Sequence, residues 1–388
     1  MCTPTRTSLL TGRYPGRFGP HATVPSNAPV LPDGYETLAT VLRNNGYDTA
    51  LFGKWHLGSH PQFGSNGFGF KKSYGSLAGG VDPYSHRYKR GEYSVTWHRD
   101  GELLEETGHV TDLIAREAVE WIESRQQPWF CYVPFTAVHV PVKPVHAWLD
   151  EYQAEKLDDD PLKDASFKKY AAYTSHMDAA IGKLLQALEV TCQRENTIVV
   201  FSSDNGAIND CPIHGTDLYP GWQESSPRLG SNLPYRGVKA QLYEGGIRTP
   251  AIINWRSRLE PGVIEDPVNI VDWMPIFTGL TGSSPTDDPQ WDGIDIWPLI
   301  SGSGATYPER SFYWNFRGGA QLGFRQGGWK YVSVDRNDPG KMELYNVAED
   351  PYETRELSHQ HPEIARDLAG LIRQQRERDG TSRRDDVA

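Results

Sequence analysis

Apolar residues along the chain follow two alternating patterns. Stripes with helical spacing are each followed by a short apolar run, in the pairs 38–42 with 47–52, 110–122 with 129–135, and 177–188 with 197–201. A further short run lies at 251–255. Alternation of helix and strand predicts an α/β domain with a mainly parallel or mixed central sheet, flanked by helices.

The pattern changes near Arg310. Short runs rich in aromatic residues, with glycine pairs at the turns, lie at 311–316, 320–325 and 329–334, and they predict an antiparallel sheet. An apolar stripe carrying Ile364, Leu368 and Ile372 predicts a final helix. We therefore predict a catalytic domain over 1–305, a smaller sheet-and-helix subdomain over 306–375, and a charged, disordered tail over 376–388.

Polar clusters follow three of the predicted strands, directly after Phe52, Phe135 and Phe201. Active sites of such sheets form where loops leave the carboxyl ends of the strands, so these clusters indicate a site. Long polar stretches at 73–104, 145–169 and 209–235 exceed ordinary connection lengths and are candidates for substrate recognition. Within them, candidate sugar contacts are Trp97, His98, His214 and Trp222, and the equally open alternative for each is a packed or solvent-exposed loop residue.

Composition narrows the classes of function. The chain of 388 residues is 38% hydrophobic and 23% charged, as in ordinary globular proteins, and its net charge of −11 argues against nucleic acid as a partner. No apolar run approaches the roughly 20 residues of a membrane span. No signal peptide is visible after Met1, and four scattered cysteines do not make a disulfide framework.

The segment from Cys2 to Arg13 begins with a thiol close to Pro4 and Arg6 at the start of a predicted helix. A helix N-terminus and a nearby cation can activate such a thiol. From the residues alone, an unstructured N-terminal cysteine is the favoured interpretation.

The same segment resembles the signature of the type I sulfatases, Cys-x-Pro-Ser/Thr-Arg followed by Leu-Thr-Gly-Arg, and agrees with it from Cys2 to Arg13. The resemblance implies a fold of the alkaline phosphatase superfamily. It also implies that a formylglycine-generating enzyme oxidises Cys2 to Cα-formylglycine, whose hydrate attacks sulfur. Arg6 would hold the modified side chain.

Lys54 and His56 are two residues apart after a predicted strand, so both can point to one side and suit an anionic group. The alternative is a surface lysine and a packed histidine. The segment 53–58 resembles the second sulfatase signature, Gly-Lys-Trp-His, which implies a catalytic role for both residues.

Two further segments resemble sulfatase loops. His139 follows a strand in a loop similar to the family's His-x-Pro, although a lone loop histidine is usually structural. Lys239 lies in a block similar to Arg-Gly-x-Lys…Glu-Gly-Gly-x-Arg. The resemblance implies that His139 and Lys239 contact the sulfate or the leaving group, while Arg236, Glu244 and Arg248 support the site.

Asp204 and Asn205 end the strand predicted at 197–201. Their oxygens suit one Ca²⁺ ion, although Asp-Asn-Gly is also turn chemistry; the sulfatase resemblance favours the metal. The resemblance further implies an Asp-Asp metal pair on a first strand, some tens of residues before the modified cysteine. Because the chain begins one residue before Cys2, we expect that strand to be missing, with unpaired backbone groups and a gap in the core.

The likeness extends over nearly the whole chain, and the segments 79–86 and 232–237 look most like the arylsulfatase B (N-acetylgalactosamine 4-sulfatase) type. It implies hydrolysis of a sulfated carbohydrate or aryl sulfate ester by a periplasmic, secreted or lysosomal enzyme. Two alternatives stay open. One is a phosphate or phosphonate ester hydrolase of the same superfamily, and the other is a catalytically inactive, sugar-binding relative that lacks the metal Asp pair.

Overall fold

The computed structural model describes residues 1–380 except 90, 92, 209–229, 287–289, 304–306, 308 and 336–337, so the candidates His214 and Trp222 lie outside the described residues. The described α-helices are α1 (Cys2–Thr11), α2 (Leu38–Asn44), α3 (Val110–Glu123), α4 (His146–Asp150), α5 (Pro161–Val190), α6 (Glu244–Ile247), α7 (Trp273–Thr281), α8 (Trp297–Ile300) and α9 (Pro362–Glu377). The strands are β1 (Asp48–Lys54), β2 (Lys72–Ser76), β3 (Trp97–Arg99), β4 (Glu102–Leu103), β5 (Trp129–Tyr132), β6 (Val199–Ser202), β7 (Ala251–Asn254), β8 (Ser311–Phe316), β9 (Gln321–Gln326), β10 (Trp329–Asp335) and β11 (Asp338–Asn346).

The central sheet has the order β4-β3-β2-β1-β5. β1 pairs in parallel with β2 and β5, whereas β3 and β4 add antiparallel strands at one edge. Successive side chains of β1 enter opposite cores, because Leu51 packs with Leu10 of α1 while Phe52 packs against Ile114 of α3. A mixed sheet flanked by helices confirms the predicted fold class.

The sheet is interrupted beyond β5. β6 pairs only with β7, in an antiparallel ribbon, and among the described strands none pairs with the second edge of β5 or of β6. A cavity of about 1560 Å³ separates them, lined by both strands and by residues of α5 and α7. The gap in the core that the sequence predicted is therefore present, and β6 does not continue the parallel sheet.

The C-terminal sheet has the order β11-β10-β9-β8 and packs against α9. β8, β9 and β10 match the predicted runs within two residues, whereas β11 was not predicted. The first residues of the predicted tail are ordered, because α9 continues to Glu377 and the Asp379 carboxylate pairs with Arg17 at 2.9 Å. The rest of that tail, 381–388, lies outside the described residues.

The long polar stretch 73–104 contains ordered sheet. Trp97 and His98 of β3 are buried, with 1% and 0% of their surface exposed, and the Trp97 indole donates to Glu106. These two residues belong to the core, so the prediction that they contact a sugar was wrong. In the described part of the chain, no helix combines the length and the apolar character that crossing a membrane requires.

Candidate active site

Cys2 is the first residue of α1 and is buried, with 3% of its surface exposed. Its Sγ lies 4.0 Å from Oδ1 of Asn205, and Thr5 Oγ1 donates to the Asp204 carbonyl at 2.7 Å. The helix runs ten residues and ends at Gly12 in a left-handed conformation. The first turn of α1 therefore faces the loop after β6, where backbone N–H groups favour negative charge.

Arg6 joins α1 to two strands of the sheet. Its Nη1 donates to the Lys54 carbonyl at the end of β1, and it lies 3.3 Å from the Tyr132 hydroxyl of β5. The guanidinium is buried, and it acts as a permanent positive charge beside Lys54 and Asp204. Arg6 therefore fixes the thiol-bearing helix against the strand ends.

Lys54 and His56 leave the end of β1 and are both buried. Burial lowers the pKa of Lys54, and so do Arg6 and Lys239, whereas Cys2 and Asp204 oppose the shift. Burial and the Lys54 and Arg6 charges hold the pKa of His56 well below its usual value, so its imidazole is neutral at pH 7.

His56 has a left-handed backbone, with φ +60°, and its carbonyl accepts a hydrogen bond from Thr3 Oγ1 at 3.2 Å. Its ring packs directly on the backbone of Gly79, where a Cβ atom would lie 2.2 Å from Nε2. A non-glycine residue persists in this conformation only where its surroundings hold it, and such sites are often functional.

His139 lies in the loop after β5. Its Nδ1 is 2.7 Å from the Val140 carbonyl, and because a carbonyl only accepts, Nδ1 carries the proton and Nε2 has a free lone pair. Burial, Lys239 and Lys54 hold the pKa of His139 well below its usual value, so this imidazole is also neutral at pH 7.

Asp204 and Lys239 complete the cluster. Burial would raise the pKa of the Asp204 carboxyl, but Lys54, Arg6 and Lys239 outweigh burial and hold that pKa well below its usual value. The Lys239 N–H donates to the Ala207 carbonyl at 3.0 Å, which places its loop against the loop after β6. Three cations and one carboxylate make this pocket positive within an acidic protein, as an anionic substrate requires.

Comparison with known proteins identifies the family. A family model described as Sulfatase matches residues 1–283. The chain belongs to the sulfatase family. N-acetylgalactosamine-6-sulfatase of Canis lupus familiaris is 30% identical over 353 residues, which cover 85% of this chain and 62% of that protein. N-acetylgalactosamine-6-O-sulfatase of Bacteroides thetaiotaomicron is 25% identical, over 95% of this chain and 83% of that protein.

Solved structures agree with this assignment. The structure of Ps i-CgsB in complex with k-i-k-neocarrahexaose aligns with a TM-score of 0.83 and 25% identity, over 98% of this chain and 83% of that chain. Against the mammalian relatives this sulfatase chain spans only 48–62% of their length. The relatives' names do not single out the arylsulfatase B type that the sequence suggested.

All eight residues predicted for the sulfatase site come together around this pocket: six line the cavity, Cys2 lies beside Asn205, and His56 lies beside Lys54 and His139. Their individual roles stay predictions. Cys2 and Arg6 come from α1, Lys54 and His56 from the end of β1, His139 from the loop after β5, Asp204 and Asn205 from the loop after β6, and Lys239 from the loop before α6. Of the predicted supporting residues, Arg248 also lines the cavity, whereas Arg236 and Glu244 are not among its lining residues. Arg236 donates to Tyr345 and Glu343 of β11, and Arg248 is half-exposed, 3.8 Å from Glu244.

Sequence reasoning missed four residues that shape the pocket. Thr5 donates to the Asp204 carbonyl, Tyr132 accepts from Arg6, and Gly79 leaves space for the His56 ring. Asn232 bridges two loops: its Oδ1 accepts from the Ala207 N–H at 2.7 Å, and its Nδ2 donates to Gly237 at 3.1 Å. Thr5 and Asn232 do lie in segments that resemble sulfatase motifs, and the glycine pair at 79–80 was a further visible signal, since glycine often marks a close backbone approach.

The residues present fit a calcium ion only in part. Asp204 and Asn205 offer hard oxygen ligands, and Asn205 Oδ1 is turned toward Cys2, but Ca²⁺ takes six to eight oxygens. Within the described part of the chain, one cluster of three potential ligands lies elsewhere, at His109, Asp112 and His176. It does not suit a metal, because His109 accepts from Thr111 through Nδ1 and donates to the Lys143 carbonyl through Nε2.

Proposed function

We propose that this protein hydrolyses sulfate esters, R–O–SO₃⁻, on a sulfated carbohydrate or an aryl group, with a nucleophile made from Cys2. One observation carries the proposal: the buried Cys2 side chain lies at a helix N-terminus, close to Lys54, Asp204 and Lys239. A nucleophile surrounded by fixed cations suits attack on a negatively charged ester, because the cations stabilise the charge that develops during transfer.

As Cα-formylglycine hydrate, residue 2 would supply one hydroxyl to attack sulfur and a second hydroxyl through which sulfate is later expelled. Lys54 and Lys239 would bind the sulfate oxygens by charge, and Arg6 would orient residue 2 from the same helix. Because Lys54 and Arg6 are buried and Lys239 is half-buried, each charge interaction is stronger than it would be in water. Asp204 stays ionised and could accept the proton of the attacking hydroxyl.

The two histidines would handle the remaining protons. His56 is neutral, and its Nδ1 is buried without a hydrogen-bond partner in the described residues, so it can accept the proton of the second hydroxyl. His139 is also neutral in the free protein, with Nε2 as an acceptor. A bound sulfate ester would raise its pKa, so we propose that it takes up a proton with the substrate and, with Lys239, passes it to the leaving alcohol.

We further propose that Asp204 and Asn205 contribute to a Ca²⁺ site. These two residues supply only part of the six to eight oxygens that the ion takes, and the cavity between β5 and β6 gives access to both side chains. An ion held there would add positive charge at the sulfate oxygens. Formylglycine-dependent maturation and a periplasmic, secreted or lysosomal location follow from the family and belong to the same proposal.

The kcat/KM ratio for an aryl sulfate and the matching aryl phosphate tests this function. The protein is produced together with a formylglycine-generating enzyme and assayed with Ca²⁺, beside the Cys2→Ala variant. We expect the sulfate ester to be preferred and its turnover to be lost in Cys2→Ala. A preference for phosphate would support the phosphoesterase alternative. Binding of sulfated sugar without turnover in the wild type would support the inactive relative.

A further inference from the structure

Lys330 of β10 is a buried cation far along the chain from the pocket. None of its surface is exposed, and its Nζ lies 2.8 Å from Glu244 Oε1 and 2.8 Å from Glu353 Oε1. Its ammonium also lies over the Trp314 ring, 5.8 Å from the centroid. A lysine without exposed surface requires such partners, because an unpaired charge in the core is very costly.

The two carboxylates hold a turn of the catalytic domain. Glu244 begins α6, and its N–H donates to Glu353 Oε2 at 2.7 Å, so Glu353 binds both the side chain of Lys330 and the backbone of Glu244. Glu353 itself has a left-handed backbone, with φ +57°, in a turn fixed by Asp350. The C-terminal sheet therefore anchors the start of α6 through buried, charged hydrogen bonds.

Backbone hydrogen bonds join this turn to two loops of the pocket, one carrying Asp204 and the other carrying Lys239. The Gly206 N–H donates to the Gly246 carbonyl at 3.1 Å, next to Asp204 and Asn205. The Gly245 N–H donates to the Arg236 carbonyl at 2.7 Å, in the loop that carries Lys239. The approach is close, since a Cβ atom at Gly206 would lie 1.8 Å from the Gly245 carbonyl oxygen. These are contacts between backbone atoms, with no flexible side chain in between. A shift of the 244–246 turn therefore moves both loops.

We infer that Lys330 is a positioning residue: through Glu244 and Glu353 it fixes the 244–246 turn, and through that turn it sets the spacing between the Asp204–Asn205 loop and Lys239. The inference rests on the proposed function for its catalytic meaning. It adds that the C-terminal sheet, which contributes none of the eight pocket residues, determines how closely the carboxylate and the cation approach one another. Neither the pocket residues nor the family comparison assigns this role to Lys330.

Three variants test it. Lys330→Met removes the charge at similar length, and Lys330→Arg restores a charge that can reach both carboxylates. Lys72→Met is the matched control, because Lys72 forms an exposed pair with Asp100 at 3.0 Å, with 60% of its side chain exposed. For each variant we would measure the Kd for inorganic sulfate, kcat and KM for the aryl sulfate, and the Tm.

We expect Lys330→Met to weaken sulfate binding by about tenfold and to lower kcat more than KM, since a buried charged hydrogen bond is lost. Lys330→Arg should recover part of the sulfate affinity and part of kcat, and Lys72→Met should match the wild type in both quantities. If Lys330→Met lowers only the Tm and leaves sulfate binding and turnover within about twofold of the wild type, the residue is merely structural and the inference is wrong.

Hydrogen exchange keeps the test decisive if Lys330→Met does not fold or if the wild type neither binds nor hydrolyses sulfate esters. Glu244→Gln keeps the size of the side chain and removes only its charge. In this variant the backbone amides of Gly206 and Lys239 should exchange at least about tenfold faster than in the wild type. Unchanged exchange at both amides would overturn the positioning role. A wild type without sulfate binding, together with faster exchange in Glu244→Gln, would instead contradict only the proposed function.

Discussion

His56 shows how much of the pocket depends on single close contacts. Its backbone is left-handed, its carbonyl is held by Thr3, and its ring has space only because residue 79 has no side chain. The sequence identified His56 through its spacing from Lys54 and through the resemblance of 53–58 to a sulfatase signature, but it could not reveal the contact with Gly79. Such contacts between residues distant along the chain are set by the three-dimensional packing and not by local spacing.

Gly79→Ala should therefore displace the His56 ring. Gly79 does not have a positive φ, so alanine is compatible with its backbone, and the added Cβ would collide with Nε2 at 2.2 Å. We expect kcat for the aryl sulfate to fall by about a hundredfold, the usual range for loss of a proton-transfer group, while the protein stays folded. Gly67→Ala is the control, because nothing lies within 4 Å of its Cβ position. Equal kcat values for the two variants would refute a role of the His56 ring position.

At the scale of elements, β1 and α3 followed directly from the sequence, because a strand buried on both faces gives a continuous apolar run and an amphipathic helix gives an apolar stripe. The sequence did not predict β11 or the short strands β3 and β4. Two or three residues are too few to show a period, and β11 contains polar and glycine residues at 338–341. Hydrogen bonds to neighbouring strands stabilise these elements, and those partners are not visible in local sequence.

The histidines that pack between elements should make the fold sensitive to acid. Burial lowers the pKa of His98 and of His109 to about 4 each. His109 caps α3 and packs on His176 of α5, with Asp112, His86 and Lys143 as its other polar neighbours. Between pH 6.5 and 4 the unfolded chain binds protons that the folded chain does not, so the free energy of unfolding falls as the pH falls through this window.

His109→Asn isolates one part of this effect, because asparagine can still cap the helix but does not titrate. Urea denaturation at pH 7 and pH 4.5 should show a smaller loss of stability in the variant than in the wild type, by up to about 3 kcal/mol. The exposed residue His146 provides the control, since His146→Asn should lose as much as the wild type. The same loss in all three proteins would show that His109 is not the acid-sensitive group.

At the scale of the whole molecule, buried ion pairs connect the N-terminal and C-terminal parts of the chain. Arg17, with 1% of its side chain exposed, pairs with Asp292 at 2.9 Å and with Asp379 beyond α9 at 2.9 Å. Tyr313 and Asn315 of β8 also donate to Asp379. The charged composition of the C-terminus predicted a disordered tail, and this prediction failed for its first residues because the pairing partner, Arg17, lies more than 300 residues earlier in the sequence.

Arg17→Met should lower the free energy of unfolding by about 3–5 kcal/mol, because the largely buried Asp379 carboxylate loses its cation and the buried Asp292 carboxylate keeps only Arg378, at 3.5 Å. Arg256→Met is the matched control: Arg256 pairs with Glu189 and Glu195, but half of its side chain is exposed, so the loss should stay below about 1 kcal/mol. Urea denaturation at pH 7 measures both. Equal losses would mean that the Arg17 cluster does not hold the two ends together.

The central claim, that residue 2 attacks sulfur, is tested most directly by mass spectrometry of the Cys2→Ser variant after incubation with an aryl sulfate. Serine has one hydroxyl, so it can accept the sulfate group but has no second hydroxyl to expel it. The claim predicts one equivalent of released phenol and a peptide containing residue 2 that is about 80 Da heavier. Phenol released continuously by Cys2→Ser, or an adduct on another residue, would contradict it.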